Sequence, residues 1–411
     1  MKKKFFKILK WSERYAKTDM TYVGKGGFWL ALAKGGSIII SFLLMVAFAN
    51  WLPQEEFGIY QFVLSVVGIL TVFSLPGINT SLTKSIAKNK EGALKEVFKT
   101  KIKWGLLGSL VIFCVSAWYF LNGNNILGLS FFMAGIFFSP NKAFEIFSAY
   151  WNGKKRFDMY SKYSIYSGTL ATLLLIGTIY ITDNVALIIT AFFGGYAIFN
   201  FIFYWLTQKQ VENSETDVET VPYGKSLTIM RFLGGLSHEI DRIILWKFLG
   251  PVQVAIYSFA ILPINKIINS VPIPTLALPK LSEKKIERTR KKGLIDKFWR
   301  LMIIIIPVTI ILILIAPLVY RLAFPQYMDS VIYFQILSIM LLSFPFTLLN
   351  TALIAETKKK ELYMIKTIPP VIKILLFIVL IPLYGILGAV IALLIGKAIQ
   401  NGMEFYYFKT I

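Results

Sequence analysis

The sequence predicts an all-α integral membrane protein: twelve transmembrane helices in two six-helix lobes, with a pseudo-two-fold axis along the membrane normal. Three observations predict it. Apolar runs of roughly 20 residues, the length of a bilayer-spanning helix, follow one another in a chain that is 56% hydrophobic over 411 residues. Lys and Arg concentrate in alternate connections between those runs. Two segments of the first half recur at equivalent places in the second.

The predicted spans are 27–50, 57–80, 103–121, 126–149, 158–182, 184–206, 223–248, 252–278, 298–322, 330–354, 362–383 and 386–408. Before the first, residues 1–26 carry eight Lys/Arg with interleaved aromatics, and no long apolar stretch or small-residue cleavage site. This reads as an interfacial basic helix, not a cleaved signal peptide. Residues 84–103 carry seven Lys, 154–156 is KKR, 280–300 carries nine Lys/Arg and 358–360 is KKK. The intervening connections NWLPQEE, LNGNN, TD, LGPVQ, RLAFPQYMD and PLYG hold one Arg among them. Cytoplasmic connections are enriched in Lys and Arg, so both termini are expected on the cytoplasmic side of a cell membrane. Residues 207–222 (QKQVENSETDVETVP from 208) are acidic and lie mid-chain, and read as a linker between an N-lobe at 27–206 and a C-lobe at 223–411. Trp29, Trp51, Trp104, Trp118, Trp151, Trp205, Trp246 and Trp299 fall near span ends, where an amphipathic ring is favoured.

The repeat rests on LPQEEFGIYQF at 52–62 against LGPVQVAIYSF at 249–259, and GKKRFDMYSK at 153–162 against TKKKELYMIK at 357–366. The first pair joins spans 1–2 and 7–8, the second spans 4–5 and 10–11. An even number of spans per half gives both halves one orientation, the arrangement of parallel-repeat transporters.

Charge inside the spans is the functional signal. A Lys or Arg at the bilayer centre costs about 2.5–3.5 kcal/mol on insertion scales. Lys34, Lys142, Arg231, Lys266, Lys373 and Lys397 are all placed there, so a wet interior between the lobes is expected. Helical spacing groups Lys34 with Gly27, Ser37 and Ser41, Lys266 with Asn269 and Ser270, and Lys397 with Gln400, Asn401 and Glu404. Lys34 and Arg231 are repeat-related at similar depth. A point charge and a bidentate fork facing each other would suit a pyrophosphate. The alternative for Lys142 is plain neutralisation by Glu145, three residues on. Residues 231–250 (RFLGGLSHEIDRIILWKFLG) place Arg231, His238 and Arg242 within about 20° of one helical line, with Glu239 and Asp241 to either side. His238, Glu239, Asp241 and Arg242 are candidates for coupling or gating, and Asp241–Arg242 is equally a structural pair. Pro76, Pro140, Pro263, Pro272, Pro274 and Pro369–Pro370 are placed to bend spans. Tyr160, Tyr163 and Tyr166, at spacing three, suit either packing or stacking on sugar rings.

Further residues carry a resemblance. LPQEEFGIY at 52–60, FSLPGINTSLTKSIAK at 73–88, GKKRF at 153–157, DRIILWKFLGPVQVAIYSFA at 241–260, LPKLSE at 278–283 and YGILGAVIALLIG at 384–396 occur in order along nearly the whole chain. This set resembles the Wzx-type oligosaccharide flippases (O-antigen and polysaccharide exporters). They belong to the MATE-like MOP exporter superfamily, with the lipid II flippases. The resemblance implies a two-lobed MATE-like fold and a prokaryotic cell envelope. It also implies alternating-access transfer of an undecaprenyl-pyrophosphate-linked glycan from the inner to the outer leaflet, with a cationic lumen for the pyrophosphate. The partners it implies are that polyprenyl-pyrophosphate-linked glycan, membrane lipids and other polysaccharide-assembly proteins, around a monomer.

No P-loop, metal-ligand spacing or cysteine pair is present (Cys114 is the single Cys), so no cofactor, metal or disulfide is expected. The net charge of +22 follows membrane topology and does not indicate nucleic acid. The alternative within the fold is a MATE-type ion-coupled exporter of small molecules, which would favour an acidic lumen. The alternative from another class is a membrane polymerase or ligase of glycan assembly. Short outer loops and a single His argue against an enzyme.

Overall fold

A computed structural model describes residues 20–270, 281, 288–356 and 358–410. The expected N-terminal basic helix through residue 19, Pro272, Pro274 and much of the 280–287 run lie outside the described residues. Every regular element among the described residues is helical. In order they are α1 (Met20–Trp51), α2 (Gln54–Leu70), a 3-10 turn (Thr71–Ser74), α3 (Gly77–Ala87), α4 (Ala93–Leu121), α5 (Asn125–Phe144), α6 (Phe147–Gly153), α7 (Phe157–Ile181) and α8 (Val185–Gln208). Then come α9 (Thr220–Leu249), α10 (Pro251–Ser270), α11 (Arg288–Ala323), two 3-10 turns (Pro325–Tyr327 and Ser338–Ser343) around α12 (Ser330–Leu337), α13 (Phe346–Ala355) and α14 (Lys359–Thr410).

Ten helical segments among the described residues are long and apolar enough to cross a membrane, so the chain is a multi-pass membrane protein. The sequence expectation of twelve spans differs from this in two places, each with a physical reason. α9 is a continuous 30-residue helix, but its charged residues keep it out of the apolar set. The segment Lys360–Thr410 is counted once although it folds back on itself. Gly385 takes φ 58° and ψ −133°, a backbone an L side chain rarely adopts. Past it, Gly388 lies against Leu380, Gly396 against the Lys373 stem, and the Tyr407 hydroxyl 3.3 Å from Met364 Sδ. Those contacts define two antiparallel limbs.

Small residues set the helix contacts, as in membrane interiors generally. α4 and α5 form a hairpin about Gly123. Gly105 packs on Ser139, Gly108 on Phe138, Gly135 on Phe113 and Gly128 on Phe120. The Ser116 hydroxyl donates to the Gly128 carbonyl at 2.6 Å. Spans 2 and 4 are both interrupted: Leu75 takes a left-handed φ of 51° before Pro76, and the helix that runs through Pro140 stops at Phe144 and restarts at Phe147. Large apolar side chains on α11 remain exposed, Ile303 at 69% and Leu314 at 72% among them, and these are lipid-facing positions.

The chain divides into two compact units. The first comprises the described residues up to Leu44, Leu70–Thr182 and Ala186–Ile229; the second comprises Met45–Ile69, Asp183–Val185 and the described residues from Met230. The first has a core of Ile78, Leu82, Leu94, Val97, Phe147, Tyr150 and Trp151. In the second, the repeat-related segments pack on each other: Phe57 lies 4.9 Å from Phe259, which stacks on Tyr327 at 3.5 Å, and Gly58 sits against the Pro251 carbonyl. Of the interfacial tryptophans, Trp51, Trp104, Trp118, Trp205 and Trp299 are exposed as expected. Trp151 instead is buried and donates to Thr207 Oγ1 at 2.9 Å, and Trp246 stacks on Phe62 at 4.2 Å.

The acidic linker is strapped to the first unit. Lys88 pairs with Asp217 at 3.3 Å, Lys90 with Glu215 at 2.5 Å and Lys154 with Glu212 at 3.4 Å. Beneath them Glu91 is a buried hub: it pairs with Lys154 and accepts the Tyr150 hydroxyl at 2.8 Å and the Glu212 N–H at 2.9 Å. Gly92 has no Cβ to collide with the Ser214 carbonyl, and Ser85 and Thr220 hydroxyls meet at 2.6 Å where α9 begins. Burial pushes the Glu91 carboxyl up, but the hydrogen bonds from Lys154, Glu212 and Tyr150 outweigh it and hold the pKa below the ordinary carboxylate value.

Two predictions follow from these features. A depressed folded-state pKa means that Glu91 stabilises the protein fully above the unfolded carboxylate pKa and loses its contribution as pH falls through the folded value. Glu91→Gln should lower the thermal unfolding midpoint by several degrees at pH 7, and the deficit should shrink towards zero below about pH 4. For the α14 hairpin, Gly388→Ala should cost roughly 1–3 kcal/mol by overpacking. Gly402→Ala, in open space within a helix, should leave the midpoint unchanged or raise it slightly.

Candidate functional site

The first unit holds a charged network at the broken ends of its helices. Lys101 on α4 is 1% exposed; its ammonium donates to Asn79 Oδ1 at 2.9 Å and stands 3.4 Å from Glu145 Oε1. Asn79 donates its amide N–H to that same carboxylate oxygen at 3.1 Å. Lys142 lies 3.7 Å from Glu145 Oε2. Asn79 reaches in because α3 restarts at Gly77 after the Pro76 break, and Glu145 sits at the interruption between α5 and α6. Two ammonium groups on one carboxylate leave this cluster with a net positive charge.

A cavity of about 350 Å³ opens on that cluster. Lys142, Glu145, Asn141, Asn200, Ser164 and Tyr196 supply polar groups, while Tyr160, Phe192 and Phe193 supply ring faces. Asn200 bridges, donating to Asn141 Oδ1 at 3.4 Å and accepting from Ser167 at 2.6 Å. Amides, hydroxyls, aromatic faces and a cation are the groups that hold a polar, hydroxylated or anionic ligand. Of the three tyrosines, Tyr160 lines this cavity. Tyr163 packs within the core, 4.8 Å from Phe203, and Tyr166 is exposed.

In the second unit the charges of α9 part company. Arg231 and His238 are exposed, whereas Asp241 and Arg242 are 2% and 4% exposed. The shared helical line therefore is not one polar surface. Asp241 accepts the Tyr257 hydroxyl at 2.5 Å and the Arg242 backbone N–H at 2.8 Å. Arg242 donates to Glu239 Oε2 at 2.9 Å, and His238 Nδ1 lies 3.2 Å from Glu239 Oε1. Gly68 gives Glu239 the room to pack, since a Cβ there would lie 3.0 Å from its Cγ. Lys373 lies within electrostatic reach of Asp241, Glu239 and Lys397. Lys397 donates to Gln400 at 3.3 Å, Gln400 to the buried Glu404 at 2.9 Å, and Asn350 to Glu404 at 2.9 Å. Arg242, Lys373 and Lys397 are thus matched by Glu239, Asp241 and Glu404. Lys266 is half-buried on α10, and Lys34 is exposed on α1 in the first unit. Among the described residues no group of three His, Cys, Asp or Glu side chains could hold a metal ion.

Sequence reasoning missed Lys101, Asn79, Asn141 and Asn200. The signal for Lys101 was present. Leu94, Val97, Lys101, Gly105 and Gly108 are the buried face of α4 at helical spacing, while Lys95, Lys99 and Lys103 point away. Reading 84–103 as a basic loop concealed it.

The model of the polysaccharide biosynthesis protein family matches residues 23–283, well over half of the chain. The chain belongs to that family. An uncharacterised membrane protein of Methanocaldococcus jannaschii is 23% identical over 432 aligned positions, covering 94% of this chain and 84% of that one. Among solved structures, the lipid II flippase MurJ in an inward-closed conformation superposes with TM-score 0.70 at 14% identity, over 92% of this chain and 87% of that one. An outward-facing multidrug resistance MATE family transporter of the MOP superfamily gives 0.65 at 14% identity, over 95% of each chain. A MOP superfamily transporter from Pyrococcus furiosus, described as having a binding pocket of reverse polarity, gives 0.63 at 15% identity, over 94% and 95%. The chain shares its fold with these proteins.

Removing one partner of a buried ion pair costs roughly 3–5 kcal/mol because the other is left uncompensated. Lys101→Met should therefore lower the unfolding midpoint sharply. Lys101→Met combined with Glu145→Gln should recover a large part of the loss, which a simple cavity effect of the lost stem would not allow.

Proposed function

We propose that this protein is an alternating-access transporter that moves an anionic, lipid-linked saccharide from the inner to the outer leaflet. Its cargo on this reading is a polyprenyl-pyrophosphate-linked oligosaccharide, destined for cell-surface polysaccharide. One observation carries the choice of cargo: embedded positive charge that is not cancelled. Lys101 and Lys142 share a single carboxylate beside a polar, ring-lined cavity. Arg231 is exposed with no ion pair among the described residues. Membership of a polysaccharide biosynthesis family and the likeness to a lipid II flippase support the same cargo class. Lys34 and Arg231 are each proposed to contact an anionic group of the cargo. Exposed His238 with half-buried Glu239 is the proposed coupling element, and Asp241–Arg242 the structural anchor beneath it.

The rival is a small-molecule exporter of the MATE type, and a specific observation favours it. The second unit carries Glu239, Asp241 and Glu404 in its interior, acids that an organic cation could exploit. The wider likeness to multidrug MATE transporters points the same way.

Vesicles reconstituted with the purified protein separate the two. The expected result is transfer of a fluorescent polyprenyl-pyrophosphate saccharide between leaflets. Arg231→Gln should slow it by about tenfold to a hundredfold, the worth of a charged hydrogen bond, and Arg231→Lys should recover part of the rate. Uptake of cationic dyes without any saccharide transfer would decide for the exporter.

A further inference from the structure

The basic groups at one end of the first unit are of two kinds. Lys88, Lys90 and Lys154 are committed to the acidic strap. Lys95, Lys99 and Lys209 are exposed and make no ion pair among the described residues. All three line a cavity of about 670 Å³, together with Trp205, whose ring lies 3.4 Å from the Lys209 ammonium. Glu91 reaches this wall but is held by Lys154, so Glu96 is the one carboxylate there without an ion pair.

The cavity sits where two lipid-facing stripes end. On α8, Ile198, Phe201, Ile202, Trp205 and Lys209 recur at helical spacing, and the first four are 56%, 49%, 40% and 47% exposed. On α4, Lys95 and Lys99 lead into exposed Leu106 and Leu110 along one face. Phe98 of α4 stacks on Tyr204 of α8 at 4.7 Å, so these helices are neighbours. An apolar track from the bilayer therefore runs to an interfacial Trp and three ammonium groups.

We propose that this cavity binds the headgroup phosphate of an anionic membrane phospholipid, with its acyl chains along Ile198, Phe201 and Ile202. Basic pockets between transmembrane helices on the cytoplasmic side bind such headgroups, and Trp favours the interface depth this requires. The strap forms the far wall through Asn213, Ser214 and Thr216. A bound headgroup would thus touch the linker that leads into α9. The site is independent of the cargo proposed above.

The test uses the full-length protein, delipidated in neutral detergent and titrated with phosphatidylglycerol or phosphatidylcholine carrying brominated chains. The Trp205 signal is isolated as the difference from Trp205→Phe. Phosphatidylglycerol should quench Trp205 at a concentration roughly tenfold or more below that of phosphatidylcholine, as about 1 kcal/mol per lysine implies. Lys95→Gln/Lys99→Gln/Lys209→Gln should abolish that preference, and Lys292→Gln/Lys297→Gln, at exposed lysines of the second unit, should retain it. Equal quenching by both lipids, or a preference that survives the triple variant, would overturn the proposal. So would full competition by inorganic phosphate, or binding of polyprenyl phosphate in place of phosphatidylglycerol. The wild-type titration stands even where the triple variant fails to fold.

Discussion

An ionised side chain taken out of water must be matched by an opposite charge or by hydrogen bonds, or the fold loses several kcal/mol. In this protein that constraint is met from helix interruptions. Pro76 and the break after Phe144 free Asn79 and Glu145 to reach Lys101, and without them a fully buried ammonium would face apolar walls. The second unit meets the same constraint differently. Arg242 spans a single helical turn to Glu239, and Tyr257 crosses from α10 to complete Asp241. Glycines make both solutions possible, because Gly105, Gly68 and Gly396 let charged or polar neighbours lie against a bare backbone.

Much of the fold was legible because a bilayer enforces one scale. Apolar runs had to be near 20 residues, and turns had to be polar or glycine-containing. Thus Gly123, Gly250 and Gly385, all at positive φ, lie in the expected connections LNGNN, LGPVQ and PLYG. Boundaries failed where helices outrun the membrane. α4 begins at Ala93, ten residues before the expected span, and so carries Lys101 inside. Trp151 was misread for a related reason. A ring near a span end is interfacial only if nothing covers it, and Thr207 of α8 does.

The candidate site was legible in part. Spacing along one helix gave Lys397 with Gln400 and Glu404, and Lys142 with Glu145, since neighbours three and four apart meet by geometry alone. Partners from different helices were not recoverable this way. Nothing local links Lys101 to Asn79, or Asp241 to Tyr257, 16 residues away. The acidic linker shows the same limit. Its acidic composition is plain in the sequence, but its docking on Glu91 depends on where three separate segments of backbone end up.

The partition of charge carries the functional argument further than its total does. A net charge of +22 says little by itself, because some of the cations are already answered: the strap answers Lys88, Lys90 and Lys154, and Glu239 answers Arg242. A matched pair has little left to offer a ligand, since binding would have to break it first. Among the remaining cations, some are placed where a ligand could reach them. Arg231 is exposed within a membrane-length helix, and Lys142 shares its carboxylate with Lys101 beside a polar cavity. Lys95, Lys99 and Lys209 ring an interfacial pocket. Depth separates their roles. A charge at the interface meets headgroups already present in every leaflet. A charge deeper in the span meets phosphate only when a ligand carries it there, which is the role proposed for Arg231.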